Sequence, residues 1–349
     1  AYELRGTLGQ GPEITVIGEG DRFSFTPSNP WVAVGWRKPS DVEMPVAHYL
    51  AKKNIAFEGV GAERVEPDHI RVRLRDGRVV AYAHYGAPDG AVVVNAHGGL
   101  ACRLDIAAAD GPARAAGVRV ISPDRPGIGG SDPSPGRTIL DWGAYVGELM
   151  DHLEVERFSV MGWSMGGQYA AAAAAAMPTR VRRLAIIAGA LPLTEPGVFG
   201  QLPAFDRMYT RLSHAAPWLD RMCFRTMHFA ASRAPHLYGR LAAAGLGPVD
   251  GQVLRDEGYA VFAAMSAEAF RQPEGVVEDY RAWARPWGFG PEQITVATDV
   301  WAGENDQLVK VGWESELARR IPGATLHVRP GGHFLAHLHY PELFERLTG

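Results

Sequence analysis

From about residue 79 onward, short apolar runs rich in β-branched residues alternate with longer stretches of helical spacing. Six of these runs end at a polar or glycine-containing segment, and they cover residues 92–95, 118–122, 158–161, 184–188, 295–301 and 325–328. Strands that are buried on both faces give continuous apolar runs, and helices between them imply parallel pairing. The pattern predicts an α/β fold with a doubly wound, mostly parallel sheet.

The alternation of strands and helices stops between about residues 192 and 290. This stretch contains Trp218, Trp283 and Trp287, and prolines interrupt its helical spacing. It follows a predicted strand, at the edge of the sheet where functional loops gather. We interpret it as a helical lid over the mouth of an active site. Additional core helices are the alternative interpretation.

The first 70 residues have a different composition. They contain Lys38, Lys52 and Lys53, which are three of the four lysines of the chain. Residues 13–17 predict a strand, and the prolines and glycine of residues 23–36 exclude a helix. We therefore expect an accessory segment at residues 1–70 and one larger domain at residues 71–349.

A nucleophile motif follows the apolar run at residues 158–161. Residues 162–167 read GWSMGG and precede a run of alanines. A nucleophile on a tight turn from strand to helix needs small neighbours, which Gly162 and Gly166 provide. Ser164 is therefore the predicted nucleophile; a structural serine in a glycine turn is the alternative.

A serine hydroxyl requires a base and a group that orients the base. His333 lies in a glycine loop, PGGHF, after the last predicted strand, and we assign it as the base ahead of His337 and His339. The orienting carboxylate is predicted to be Asp306, in the loop AGEND. The nearby alternatives to Asp306 are Glu304 and Asp299.

Two backbone N–H groups are needed to stabilise the oxyanion that forms during acyl transfer. Met165 follows the nucleophile and is expected to supply one of them. The second is assigned to Gly99, in the segment His97-Gly98-Gly99 that follows a predicted strand. His97 is expected to hold this loop by hydrogen bonds, with a role as a second acid or base as the alternative.

The glycine-rich loop at residues 124–132 has two possible interpretations. A phosphate cradle would require a following Lys-Ser/Thr pair or a G-x-G-x-x-G pattern before a helix, and neither occurs here. We interpret the loop as a compact turn beside the pocket.

Composition and charge limit the kinds of binding partner and cellular location that we expect. Hydrophobic residues make up 46% of the 349 residues and the net charge is -4, so we expect a globular protein that does not bind nucleic acid. No apolar run reaches the ~20 residues of a membrane helix. Two cysteines make neither a disulfide framework nor a zinc site, and they favour a reducing, cytoplasmic location.

Taken together, these motifs resemble the α/β-hydrolase superfamily, with lidded esterases and proline-iminopeptidase-like members nearest. The matching segments are DGRVVAYAHYG, HGG, DRPGIGGSD, GWSMGG, GENDQLV and GGHF, in the expected order from about residue 72 to the end. The resemblance implies the triad of Ser164, Asp306 and His333, with no cofactor and no metal. The segment HGGLACR lacks the proline found in many loops of this family.

The opening segment resembles part of the flavin domain of sulfide:quinone oxidoreductases. The stretch EITVIGEGDRFSFTPSNPWVAVGWRKPSDVEMPVAHYLAKKNIAFEGV carries this resemblance, but it begins after the place of that family's glycine fingerprint. Loss of the phosphate-binding loop implies loss of most FAD affinity. A flavin-linked oxidoreductase is therefore an alternative function, and an absorbance spectrum of the purified protein tests it.

The resulting hypothesis is a serine esterase that acts on small or medium acyl substrates. A peptidase or amidase, or a hydrolase of carbon–carbon bonds, would use the same residues and is a further alternative. The sequence predicts neither the substrate nor the oligomeric state.

Overall fold

The computed structural model describes residues 15–17, 22–24, 43–52, 56–58 and 70–349 and divides the chain into two units, Ala1–Pro67 and Asp68–Gly349. In the first unit, a parallel pair and an antiparallel pair of strands are described. Its described elements are β1 (Thr15–Ile17), β2 (Arg22–Ser24), β3 (Glu43–Pro45), α1 (Val46–Ala51) and β4 (Ala56–Glu58). Most of the predicted accessory segment lies outside the described residues.

The second unit is built around a sheet of eight strands. The strands lie in the order β12-β11-β10-β9-β7-β8-β6-β5, and all neighbours are parallel except at β6, which runs antiparallel to both β8 and β5. This confirms the predicted α/β class. The strands are β5 (Ile70–Arg73), β6 (Val79–Gly86), β7 (Ala91–Ala96), β8 (Val118–Pro123), β9 (Phe158–Trp163), β10 (Val181–Ile187), β11 (Ala297–Gly303) and β12 (Thr325–Arg329).

Helices cover both faces of this sheet. Neighbouring residues on one strand point to opposite faces, so Val93 and Val94 belong to two different hydrophobic clusters, as do Ile186 and Ile187. This explains why the strands read as continuous apolar runs. The helices outside the long insertion are α2 (Asp110–Ala115), α3 (Asp141–His152), α4 (Gly166–Ala176), α12 (Val311–Arg320) and α13 (Ala336–Thr348).

Seven further helices occupy the chain between β10 and β11. They fall within residues 192–290, where the sequence predicted a helical insertion. They are α5 (Val198–Gln201), α6 (Ala204–Ala215), α7 (Pro217–Arg233), α8 (Pro235–Gly245), α9 (Gly247–Glu257), α10 (Tyr259–Ala269) and α11 (Pro273–Trp283). Proline starts α7, α8 and α11, because its fixed φ and missing N–H suit the first helical turn.

The strand order places two loops side by side. The chain passes from β7 to β8 on one side and then returns to β9 on the other side of β7. Ala96 and Gly162 are paired at the carboxyl ends of β7 and β9. In open α/β sheets, ligands bind at such a point where the strand order reverses. The HGG segment and the GWSMGG segment therefore meet there.

Candidate active site

Ser164 lies on the turn between β9 and α4, with a backbone φ of +56°. This left-handed conformation is uncommon for a residue other than glycine and is typical of a strained nucleophile turn. A Cβ atom on Gly166 would lie 1.9 Å from the carbonyl oxygen of Ala96, and one on Gly162 would lie 2.2 Å from the Gly166 carbonyl oxygen. The turn therefore requires glycine at both positions.

Gly99 and Met165 are neighbours beside this turn. A Cβ atom built on Gly99 would lie 3.5 Å from Cβ of Met165, and both residues line the same cavity as Ser164. Neither their two N–H groups nor the Ser164 hydroxyl makes a hydrogen bond to another residue in the described part of the chain. Both N–H groups are thus available to an oxyanion formed near Ser164.

His97 holds the loop that contains Gly99. Its Nε2 accepts the N–H of Arg125 at 3.1 Å, so its Nδ1 carries the proton and donates it to the Gly98 carbonyl at 3.0 Å. Burial, together with the nearby guanidinium of Arg125, holds the pKa of His97 well below its usual value. His97 is therefore neutral, and the geometry matches the structural role predicted for it.

The buried Arg125 and the half-buried Asp105 fix the same loop. The Arg125 guanidinium donates to the carbonyl of Gly98 at 2.8 Å and to that of His97, while its charge is paired with Asp279 at 2.7 Å. Asp105 accepts the N–H of Gly98 at 3.0 Å. The polar backbone groups around Gly99 are thereby held in one arrangement.

His333 and Asp306 meet at the carboxyl ends of β12 and β11. Nδ1 of His333 lies 2.9 Å from Oδ2 of Asp306. Oδ1 of Asp306 accepts the N–H groups of Leu308 at 2.8 Å and Val309 at 2.9 Å. These bonds fix the carboxylate, whose side chain is fully buried, and the carboxylate in turn fixes the imidazole.

A third carboxylate holds the backbone of the His333 loop. Asp250 lies on α9 and is 1% exposed. Its two oxygens accept the N–H of His333 at 3.0 Å and the N–H of Phe334 at 2.9 Å. A Cβ atom on Gly332 would lie 2.5 Å from the same carboxylate, so glycine is required there. The inserted helices and the histidine loop are therefore joined by hydrogen bonds.

The environment of His333 favours its protonated form. Burial opposes the charge, but the carboxylates of Asp306, Asp250 and Asp206 outweigh burial and hold the pKa of His333 above its usual value. Ser164 and His333 line the same cavity, although no hydrogen bond joins the hydroxyl to the imidazole among the described residues. Such bonds often tighten only when substrate binds.

The cavity that contains Ser164 has a volume of about 310 Å³. Most of its wall is aromatic or aliphatic and comes from the inserted helices. Asp206 is the only carboxylate and His333 the only histidine of the described lining, which contains neither lysine nor arginine. The Asp206 carboxylate accepts the hydroxyl of Tyr280 at 2.8 Å, and burial raises the pKa of Asp206 to about 6.

The alternative candidates lie elsewhere. Glu304 is exposed, and Asp299 pairs with His327 at 2.7 Å and with Arg346 at 2.6 Å on the far part of β11 and β12. His337 contacts Glu257, and His339 contacts the carbonyl of Pro330 at 2.9 Å. None of these four side chains lines the cavity.

Sequence reasoning did not identify several residues of this site. Asp250 and Asp206 lie in the insertion, where no motif marks them. Arg125 lies in the glycine-rich loop at residues 124–132, whose sequence pattern predicts only a turn. The buried partner Asp279 lies 154 positions away from Arg125, and only the folded chain shows the pair.

The described residues have neither a metal-binding cluster nor a membrane-spanning helix. No group of three or more histidine, cysteine, aspartate or glutamate side chains is placed there to hold a metal ion. None of the described helices is both long enough and apolar enough to span a bilayer.

Comparison with known proteins identifies the family. The model of the alpha/beta hydrolase fold family matches residues 91–340, and the chain belongs to this family. A 2-hydroxy-6-oxononadienedioate/2-hydroxy-6-oxononatrienedioate hydrolase of Cupriavidus pinatubonensis is 29% identical over 241 residues, which are 68% of this chain and 77% of that relative. The solved enol-lactonase from Burkholderia xenovorans LB400 has a TM-score of 0.61 at 20% identity and covers 80% of this chain and 98% of its own, which shows a shared fold.

The N-terminal part has a different similarity. A sulfide-quinone reductase of Aquifex aeolicus is 39% identical over 82 residues, and this match is a short, partial one. It covers 24% of this chain and 19% of that relative, so the chain spans about a fifth of its length. The resemblance of the opening segment to that family is confirmed.

Proposed function

We propose that this hydrolase uses Ser164, His333 and Asp306 as a catalytic triad and cleaves carboxylic esters through an acyl-enzyme intermediate. The observation that carries the proposal is the 2.9 Å bond between His333 and Asp306, with His333 and the strained Ser164 on one cavity wall. A hydroxyl, a base and a carboxylate in this order are sufficient for nucleophilic acyl transfer.

The proposed reaction has two halves. The Ser164 hydroxyl attacks the ester carbonyl and its proton passes to Nε2 of His333, while the N–H groups of Met165 and Gly99 bind the oxyanion. His333 then protonates the leaving alcohol. Water next attacks the acyl-enzyme with His333 as base, and the acid is released. Asp306 keeps Nδ1 protonated and stabilises the imidazolium in both halves.

The cavity wall supports a neutral, apolar acyl group as substrate. Burial of such a group is favourable by roughly 0.8 kcal/mol per methylene. A carboxylate on the acyl chain would enter a cavity whose described lining holds the Asp206 carboxylate and neither lysine nor arginine. A dicarboxylate such as the dienedioate in the name of the Cupriavidus relative is therefore a poor fit.

Helices α5–α11 are proposed to form a lid. They supply cavity-lining residues that include Met227, Tyr238 and Phe262, and so they cover Ser164 on the side away from the sheet. Exclusion of water by such a cover strengthens the hydrogen bonds to the oxyanion.

Carbon–carbon bond hydrolysis is the second candidate, because relatives of that class, named as hydrolases of 2-hydroxy-6-oxo acids, match most of the chain. The same triad would serve both reactions. A neutral ketone substrate, rather than a dienedioate, would suit this cavity.

Steady-state kinetics with p-nitrophenyl esters tests the proposal. Wild type is expected to hydrolyse an ester with a neutral alkyl acyl chain, and to discriminate at least roughly tenfold in kcat/KM against the ester of the same length that ends in a carboxylate. Ser164→Ala should abolish hydrolysis of both esters. Turnover of a carbon–carbon substrate without ester turnover would favour the second candidate, and equal rates for wild type and Ser164→Ala would refute the triad.

A further inference from the structure

The outer surface of the inserted helices is unusually apolar. Eight of the 13 exposed large hydrophobic side chains in the described part of the chain lie between residues 205 and 261. Isolated exposed apolar side chains are common, but a cluster of them marks an interaction site. They are Phe205, Met208, Trp218, Met222, Phe229, Leu237, Leu241 and Val261, of which Phe205 also lines the cavity.

On α7 these side chains share one face. Trp218, Met222 and Phe229 are 60%, 55% and 62% exposed. At 3.6 residues per turn, they fall within about 40° of one another around the helix axis. The opposite face of α7 contains the fully buried Phe224. On α8, Leu237 and Leu241 are one turn apart and 50% and 63% exposed.

The same surface is positively charged. The three helices α6–α8 contain six arginines and two aspartates, whereas the whole chain has a net charge of -4. Both aspartates point inward, since Asp220 is fully buried and Asp206 lines the cavity. Arg225 pairs with Glu274 of α11 at 3.4 Å but remains 67% exposed. Arg233 and Arg240 are exposed among the apolar side chains.

We propose that the outer faces of α7 and α8, defined by the five apolar residues named on them, dock this protein onto the surface of an anionic lipid bilayer. Apolar side chains enter the boundary between headgroups and acyl chains, and arginines beside them bind lipid phosphates. Arginine also suits this position because its long stem keeps the guanidinium at the headgroups while the apolar side chains are inserted.

A second copy of the chain is a poorer occupant of this surface. A two-fold interface brings the same patch of both subunits together. Such contact would place Arg225, Arg233 and Arg240 opposite a second arginine-rich face, and like charges across an interface are destabilising. The negative charge of an anionic bilayer would instead attract these arginines.

Docking through the outer faces of α7 and α8 would place the cavity directly behind the bilayer-facing helices. Met227 of α7 and Tyr238 and Ala242 of α8 line the cavity from the inner faces of the two docking helices. An apolar substrate dissolved in the bilayer would therefore be held close to the helices that cover Ser164. This connection rests on the proposed function, whereas bilayer binding itself does not.

Vesicle flotation tests the docking surface. Wild type is expected to float with vesicles of phosphatidylcholine and phosphatidylglycerol in equal amounts, to bind pure phosphatidylcholine much less, and to dissociate as salt rises. Trp218→Ser combined with Phe229→Ser should weaken partitioning at least tenfold, by roughly the burial free energy of two large apolar side chains. Leu338→Ser is the matched control, since Leu338 is 57% exposed on α13, and it should bind like wild type.

Three results would overturn the proposal. The first is absence of wild-type binding to the anionic vesicles, and the second is equal binding by the double variant. The third is a wild-type dimer in light scattering that the double variant dissociates, because this would assign the surface to a second copy. Hydrolysis of a water-soluble short-chain ester by the double variant at the wild-type rate shows that its fold is intact, and loss of binding then reports on the surface alone.

Discussion

At the scale of single residues, the Asp306 side chain has the most direct test. Asp306→Asn keeps the shape of the side chain but lets the amide donate to Nδ1 of His333, which favours the wrong tautomer. Ester kcat is expected to fall on the order of 10⁴-fold. Glu304→Gln is the matched control, because Glu304 is exposed two positions away and should leave kcat unchanged. A near-normal kcat in Asp306→Asn together with a reduced kcat in Glu304→Gln would show that Glu304, and not Asp306, orients His333.

Glu314 on α12 gives a prediction about stability. It is fully buried, and neither carboxylate oxygen has a hydrogen-bond partner among the described residues. Burial, followed by the nearby Asp306 charge, raises the pKa of Glu314 to about 9. Between the ordinary glutamate pKa and this raised value, the unfolded chain loses a proton that the folded chain keeps, so the free energy of unfolding falls as pH rises.

Glu314→Gln removes this titration. The wild type is expected to lose up to about 1.4 kcal/mol of unfolding free energy per pH unit through this group, and the variant should not show that loss. Urea unfolding at about pH 5 and about pH 8 measures the difference. Glu316→Gln, on the exposed side of the same helix, is the control. Parallel pH curves for wild type and Glu314→Gln would show that Glu314 is ionised in the folded protein.

At the scale of secondary-structure elements, the turn between β9 and α4 depends on close backbone contact. Gly166→Ala would force a methyl group against the Ala96 carbonyl oxygen and is expected to reduce the unfolding free energy by at least ~2 kcal/mol. Gly200→Ala is the control, because nothing lies within 4 Å of the position of its Cβ. Equal melting temperatures for the two variants would contradict the close packing at the turn.

Asp250 joins another pair of elements, helix α9 and the loop after β12. Asp250→Asn removes a negative charge near His333. It also replaces one of the two oxygens that accept the backbone N–H groups of His333 and Phe334 with an NH₂ group, which can only donate. We expect kcat/KM to fall and the acid limb of its pH profile to move to lower pH, because one carboxylate that raises the His333 pKa has been lost. In wild type this limb should lie above the ordinary histidine pKa, since only the neutral imidazole accepts the Ser164 proton.

The control for this change lies on the same helix. Asp256 is exposed and contacts Gln252, so Asp256→Asn should leave the pH profile unchanged. A lower rate in Asp250→Asn with an unshifted acid limb would mean that Asp250 has a structural role only.

The sequence predicted the strands, the class of sheet and the positions of the candidate triad because these depend on local pattern. A continuous apolar run marks a buried strand wherever it occurs, and a glycine-flanked serine after such a run marks a strained turn. Asp250 could not be found this way. Its function depends on a contact with His333, 83 positions along the chain, and no periodicity or motif encodes that contact.

At the scale of the whole molecule, the inserted helices present two different surfaces. Their inner faces form an apolar cavity with the single carboxylate Asp206, and their outer faces expose apolar side chains and arginines. Sequence analysis predicted the insertion but gave neither surface, because assigning each side chain to a face requires the packing of seven helices. The cavity chemistry and the docking surface therefore come from the structure.

Ser164 is proposed to be a nucleophile that His333 and Asp306 activate. Labelling with a fluorophosphonate, followed by peptide mass spectrometry, tests it most directly, since this probe reacts covalently with an activated serine. We expect one adduct on Ser164, no adduct in Ser164→Ala and slow labelling in Asp306→Asn. An adduct on another residue, or labelling of Ser164→Ala at the wild-type rate, would contradict it.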